Sequence, residues 1–128
     1  MSCLVGLLLL FNVLTGYGFP ELEYVGEYKI TAYTAGYEST GKTPEHPLYG
    51  VTATGVMVQE NHTVASDWDI HPPGTFLYIE GFDTMFKVED RGGGVRGKHL
   101  DVYIEDLDEA LWWGVRNRRV YVLNMKGD

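Results

Sequence analysis

Apolar positions in this chain alternate with polar ones in short runs, and Gly or Pro separates one run from the next. Glu27–Thr34 places Tyr28, Ile30, Ala32 and Thr34 on one face, the period of a half-buried strand. Thr75–Ile79 follows a Pro73-Gly74 turn, and Met85–Val88, Leu100–Ile104 and Arg119–Leu123 complete a set of strand predictions. Thr63-Val64-Ala65-Ser66 reads as a strand end that runs into Asp67 and then the rigid Pro72-Pro73-Gly74 turn. One helix is predicted. Asp106 caps its start, Glu109 completes a capping box, Leu107, Ala110 and Leu111 share a face, and Gly114 stops it. There is no internal repeat and no low-complexity tract. A short helix among five to seven strands predicts a small mainly-β barrel or sandwich.

Cys3–Leu14 is a different kind of segment, an apolar run of twelve interrupted only by Gly6 and Asn12. A membrane span needs about 20 residues, so its length suits the core of a signal peptide. Gly16-Tyr17-Gly18 supplies the small residues of a cleavage site after Gly18. The expectation is export, with residues 1–18 as signal and 19–128 as the working domain.

At 128 residues the chain has room for one domain and not two. Its formal charge of −8 excludes a binder of phosphate backbones, which needs clustered Lys and Arg. Only Lys29 and Lys42 are basic in the first 86 residues, whereas the remainder is balanced. Cys3 is the sole cysteine, which removes a disulfide framework, a cysteine-based zinc site and a cysteine nucleophile from the body of the chain.

Gly36-Tyr37-Glu38-Ser39-Thr40-Gly41-Lys42-Thr43 fits the phosphate-loop pattern letter for letter. That loop works by starting a helix at its Lys. Pro44 and Pro47 forbid such a helix here, so no nucleotide is expected.

Three aspartates stand in unusual company: Asp67 at a strand end, Asp90 at the close of Met85–Glu89, and Asp101 inside the apolar Leu100–Ile104 run. A carboxylate among apolar neighbours is costly unless it is paired or used. Gathered in one cleft, such groups would repel one another, and burial would turn one into a general acid near neutral pH. Spread apart, Asp101 would face solvent and Asp90 would sit in a turn. Asp67, Asp69 and His71, with His99 nearby in sequence, offer a metal site if their segment is extended, because alternation then puts all three on one face. Among the aromatics, Trp68, Tyr37 and Tyr49 lie in turn-rich segments and suit contact with sugar rings, while Trp112 and Trp113 suit a core.

Thr31-Ala32-Tyr33, Tyr49-Gly50-Val51-Thr52-Ala53-Thr54-Gly55, Val64-Ala65-Ser66-Asp67, Val88-Glu89-Asp90-Arg91-Gly92-Gly93 and Gly97-Lys98-His99-Leu100-Asp101-Val102-Tyr103 follow in an order that resembles the three-aspartate (3D) domain family of bacterial cell-wall proteins. The resemblance runs from Thr31 to Leu123. It implies a six-stranded double-psi β-barrel with one short C-terminal helix, related to the catalytic domain of membrane-bound lytic transglycosylase A. It further implies Asp101, Asp90 and Asp67 as the catalytic trio, with Asp101 as acid. Tyr33, Thr54, Gly92, Gly93 and Trp68 are then expected along the substrate. The implied reaction is non-hydrolytic cleavage of the MurNAc–GlcNAc β-1,4 bond in peptidoglycan, without metal or cofactor, by a secreted or wall-associated monomer. Two alternatives of other classes stand beside it: a non-catalytic glycan-binding module, and a hydrolase, either of the paired-carboxylate kind or using metal on Asp67, Asp69 and His71.

Overall fold

A computed structural model describes residues 21–124; the signal-peptide expectation lies outside them. Six strands close into a barrel: β1 (Glu21–Tyr33), β2 (Thr63–Ala65), β3 (Phe76–Ile79), β4 (Met85–Asp90), β5 (His99–Tyr103) and β6 (Arg116–Asn124). Around the barrel the order is β1-β5-β2-β4-β3-β6. The β1–β5 and β2–β4 seams are parallel and the other four antiparallel. This is the six-stranded barrel that the family resemblance implies.

Alternation explains which side chains fill it. Tyr28 and Ile30 of β1, Val64 of β2, Leu77 and Ile79 of β3, Phe86 and Val88 of β4, Leu100 and Val102 of β5 and Val120 of β6 form one buried cluster. Full burial of such a side chain contributes roughly 1.5–3 kcal/mol.

The strands are longer than the pattern predicts at several ends. β1 begins at Glu21 rather than Glu27, because Glu21–Tyr24 pairs with Tyr121–Asn124 of β6. β6 likewise begins three residues early, at Arg116.

Among the described residues two helices accompany the barrel: α1 (Tyr37–Thr40), a single turn, and α2 (Leu107–Trp113). α2 starts where expected, with Asp106 accepting a hydrogen bond from the Glu109 amide at 2.9 Å, and Gly114 follows its end. Its inward face differs from the one predicted. Leu107 and Leu111 are exposed, while Ala110 is buried and Trp113 packs on the core. Trp113 meets the Phe82 ring at 5.1 Å and donates from Nε1 to the Ile30 carbonyl at 3.0 Å. Trp112, expected in the core with it, is 75% exposed and lies under the Arg116 guanidinium at 4.3 Å.

Candidate active site

The site lies on the outer face of four adjacent strands, β1, β5, β2 and β4. In β5, Leu100 and Val102 point into the barrel, so Asp101 points out. The parallel seam sets Thr31 of β1 opposite Asp101, and the antiparallel seam sets Ala65 of β2 on its other side. Asp90 should face inward with Phe86 and Val88. A bulge prevents this: Val64 pairs with Val88 but Ala65 pairs with Asp90, so Glu89 is the extra residue. The bulge re-aims Asp90 to the face that carries Ala65 and Asp101. The displaced Glu89 is held by the Thr63 hydroxyl at 2.8 Å and His62 at 3.3 Å.

A cavity of about 580 Å³ opens over this face. Its floor is Tyr33, Ala65, Asp90 and Asp101, and residues of the 39–55 excursion roof it. Ala53 and Thr54 fasten that excursion to the end of β4. The Ala53 amide donates to Asp90 Oδ1 at 2.9 Å, and the Thr54 hydroxyl donates to the Glu89 carbonyl at 2.8 Å. Thr54, expected against substrate, is thereby used as a fastener and does not line the cavity.

The two floor carboxylates have opposite characters. Both oxygens of Asp90 serve protein donors: Oδ1 the Ala53 and Arg91 amides, each at 2.9 Å, and Oδ2 the Tyr33 hydroxyl at 2.8 Å. Burial, with Asp90 beside it, raises the Tyr33 phenol, so it stays a donor. Asp101 is served by the Thr31 hydroxyl alone, at 2.8 Å. Burial and then the Asp90 charge push the Asp101 carboxyl up to about 6 against the Thr31 hydrogen bond. One partly buried carboxyl that can carry a proton therefore faces the cavity beside an anchored carboxylate.

Residues 62–124 match the 3D domain family. The chain carries a 3D domain. It is 34% identical over 97 residues to the cell wall-binding protein YocH of Bacillus subtilis (strain 168), across 73% of this chain and 31% of YocH. MltA from Escherichia coli, whose structure is described as a lytic transglycosylase fold, superposes with a TM-score of 0.54 at 29% identity, over 65% of this chain and 29% of MltA. An MltA structure with bound chitohexaose gives 0.52 at 29% identity, over 59% and 27%. The lytic transglycosylase LtgG of Burkholderia pseudomallei, at 18% identity and 0.52, over 67% and 29%, shares the fold. The chain thus spans about a third of the length of these relatives.

The aspartates of this 3D domain do not all enter one cleft. Asp67 lies in an adjoining cavity of about 350 Å³ with Trp68, Asp69, Gly93 and Arg96, and the two cavities share Ala53, Arg91 and Gly92. Asp67 Oδ2 accepts from the Gly97 amide at 2.9 Å and Oδ1 from the Asp69 amide at 3.1 Å, and these bonds hold its carboxyl below the usual range. It anchors the 92–97 loop, which turns at Gly97 with φ 66°, a conformation that favours glycine. Trp68 donates to the Asp90 carbonyl at 2.9 Å and carries the Arg91 guanidinium 4.5 Å over its ring, on the wall between the cavities. Tyr33 and Gly92 line the first cavity and Gly93 the second, while Tyr37 and Tyr49 line neither.

The metal alternative fails on local geometry. Residues 67–71 form a turn, with the Ile70 and His71 amides both donating to the Asp67 carbonyl, so strand alternation does not hold. His71 is buried, 2.6 Å from the Tyr28 hydroxyl. Among the described residues no group of three or more His, Cys, Asp or Glu side chains is placed to hold a metal ion. The phosphate-loop lookalike also takes a different shape. α1 ends at Gly41, φ 74°, where a phosphate loop would start its helix, and Ser39, Thr40 and Lys42 line the first cavity. These three, with Thr31, Ala65 and Arg91, are site residues the sequence reading missed. Thr31 had a usable signal, its position between two inward residues of β1.

Proposed function

We propose that this chain is a peptidoglycan lytic transglycosylase in which Asp101 is the general acid and base. The observation that carries the reading is the pairing of one partly buried carboxyl, raised to about 6, with a neighbouring carboxylate whose two oxygens are anchored by three protein donors. A glycosidase that uses water or a covalent intermediate needs a second working carboxylate. Asp90 is held in place by three protein donors, and Asp67 is held by two amides in the adjoining cavity, away from Asp101. The resemblance to MltA, a lytic transglycosylase, supports the class of reaction.

Protonated Asp101 gives its proton to the glycosidic oxygen as the bond from that oxygen to the anomeric carbon breaks, and the leaving sugar departs as an alcohol. Positive charge on the anomeric carbon is met by the anchored Asp90 carboxylate nearby. The C6 hydroxyl of the same sugar closes on the anomeric carbon, and its proton returns to Asp101. The product is a 1,6-anhydro end, no water is consumed, and the acid is regenerated. Peptidoglycan glycan strands are the partner in this reading, residues 1–18 direct export, and the domain works at the cell wall.

The name of YocH, a cell wall-binding protein, favours a second reading in which the cavity binds glycan without cleaving it. Digestion of purified peptidoglycan with the full chain, followed by mass spectrometry of the released fragments, separates the two. Anhydro ends are expected from the wild type, with Asp101→Asn slower by roughly 10²- to 10⁴-fold. The rate should fall as pH rises through about 6, because the working form is the protonated one. Reducing ends would make the protein a hydrolase, and wall binding without release would make it a binding module.

A further inference from the structure

Asp101 is the first member of a hydrogen-bonded chain that runs along the barrel surface away from the cavity. Thr31 Oγ1 is 2.8 Å from Asp101 Oδ1 and 2.8 Å from His99 Nε2, and His99 Nδ1 is 3.2 Å from the Gly94 carbonyl oxygen. The parallel β1–β5 register builds it. Lys29 lies opposite His99 and Thr31 opposite Asp101, so all four share the outer face.

Proton bookkeeping restricts what this chain can do. A carbonyl only accepts, so the His99 nitrogen that faces Gly94 carries a hydrogen. If the ring is neutral, Nε2 is an acceptor and takes the Thr31 hydroxyl hydrogen. The Thr31 oxygen then accepts from Asp101, whose carboxyl must be protonated. If Asp101 is ionised, Thr31 donates to it, and Nε2 must be a donor, which makes the ring an imidazolium. With one proton to share between Asp101 and His99, only these two states satisfy all three contacts.

We propose that His99 is a positioning residue which, through the Thr31 hydroxyl, keeps one shared proton on the Asp101–Thr31–His99 chain. The groups that face the chain set where the proton rests. Burial of the ring, with Lys29 of β1, disfavours imidazolium against the Gly94 carbonyl, whereas burial and Asp90 of β4 favour the protonated carboxyl. Of the two one-proton states, neutral His99 with protonated Asp101 is therefore the favoured one. Once Asp101 has given its proton away, Thr31 turns to the carboxylate and the Nε2 lone pair is left without a hydrogen. That loss makes the carboxylate a stronger base, ready to reclaim a proton. The catalytic value of the relay rests on Asp101 being the acid, but the coupling itself does not.

The experiment is an NMR titration of the full chain, following the Asp101 carboxyl carbon and the His99 ring nitrogens. In wild type, the His99 Nε2 resonance should show an inflection at the Asp101 midpoint, a readout that needs no variant. His99→Leu frees Thr31 to donate to the carboxylate, and the Asp101 midpoint should fall by roughly one pH unit, tenfold in its protonation constant. In a Thr31→Val background the same change should move nothing, because the link is gone. An Nε2 resonance blind to Asp101, an unchanged midpoint in His99→Leu, or an equal fall in both backgrounds would each overturn the relay. Where anhydro product is formed, His99→Leu should move the falling limb of the pH–rate profile to lower pH by the same interval. Coupling in the titration with no product from wild type would leave the relay standing and remove the transglycosylase reading instead.

Discussion

Asp101 pays for its proton affinity in stability, and the sign can be worked out. Its carboxyl titrates near 3.8 when unconstrained and near 6 in the fold. Between those values the native state binds more protons than the unfolded chain, so stability declines as pH rises through that window and stays lower above it. Two pH units correspond to about 2 kcal/mol once partial exposure is allowed for. Asp101→Asn should therefore raise the melting temperature at pH 8 and leave it nearly unchanged at pH 4, as calorimetry at the two pH values would show. Equal effects at both would mean that the carboxylate is not penalised where it sits. The aspartate itself is legible in the sequence, as an ionisable group between Leu100 and Val102. Its partners are not. Thr31 lies seventy positions away, and only the parallel seam of a closed barrel brings it alongside. Asp67 is legible as a residue, but nothing local announces that it lies in the adjoining cavity with its oxygens accepting from the Gly97 and Asp69 amides.

At the scale of elements, caps and periods are set by local sequence and faces are not. The Asp106 cap and the Gly114 stop of α2 are local chemistry, visible in any window of ten residues. Which side of a seven-residue helix faces inward is decided by what it lands on, and α2 lands on Phe82 and the Ile30 carbonyl through Trp113. Neighbouring tryptophans should therefore differ sharply. Trp113→Ala removes a packed ring and a hydrogen bond and should cost about 3 kcal/mol in urea unfolding. Trp112→Ala removes an exposed ring stacked under Arg116 and should cost less than about 1 kcal/mol. Similar losses for the two would contradict the placement of the helix. The same reasoning covers the 67–71 turn: its Asp, Asp and His look like a ligand set only while the segment is imagined as extended.

The whole barrel is what converts a pattern of strands into a site. β2 is three residues long, yet it lies between the two strands that carry the floor carboxylates. Ala65 is the residue that touches both registers, paired with Asp101 on one side and Asp90 on the other. Closure of the barrel fixes that rung, and the Glu89 bulge brings Asp90 onto it. Neither closure nor bulge can be seen in one-dimensional alternation, which would leave Asp90 inside with Val88. The small side chain at position 65 keeps the space between the carboxyls open, and filling it is a direct test. Ala65→Leu should overpack the rung at a cost of about 1–3 kcal/mol, with the barrel still folded by circular dichroism. In calorimetric titration its affinity for chitohexaose should fall at least tenfold below that of the wild type. Ala65→Gly, which leaves the floor open, should bind as the wild type does. If Ala65→Leu also bound undiminished, sugar would have to sit elsewhere, and the cavity above Asp101 and Asp90 would lose its claim to be the glycan site.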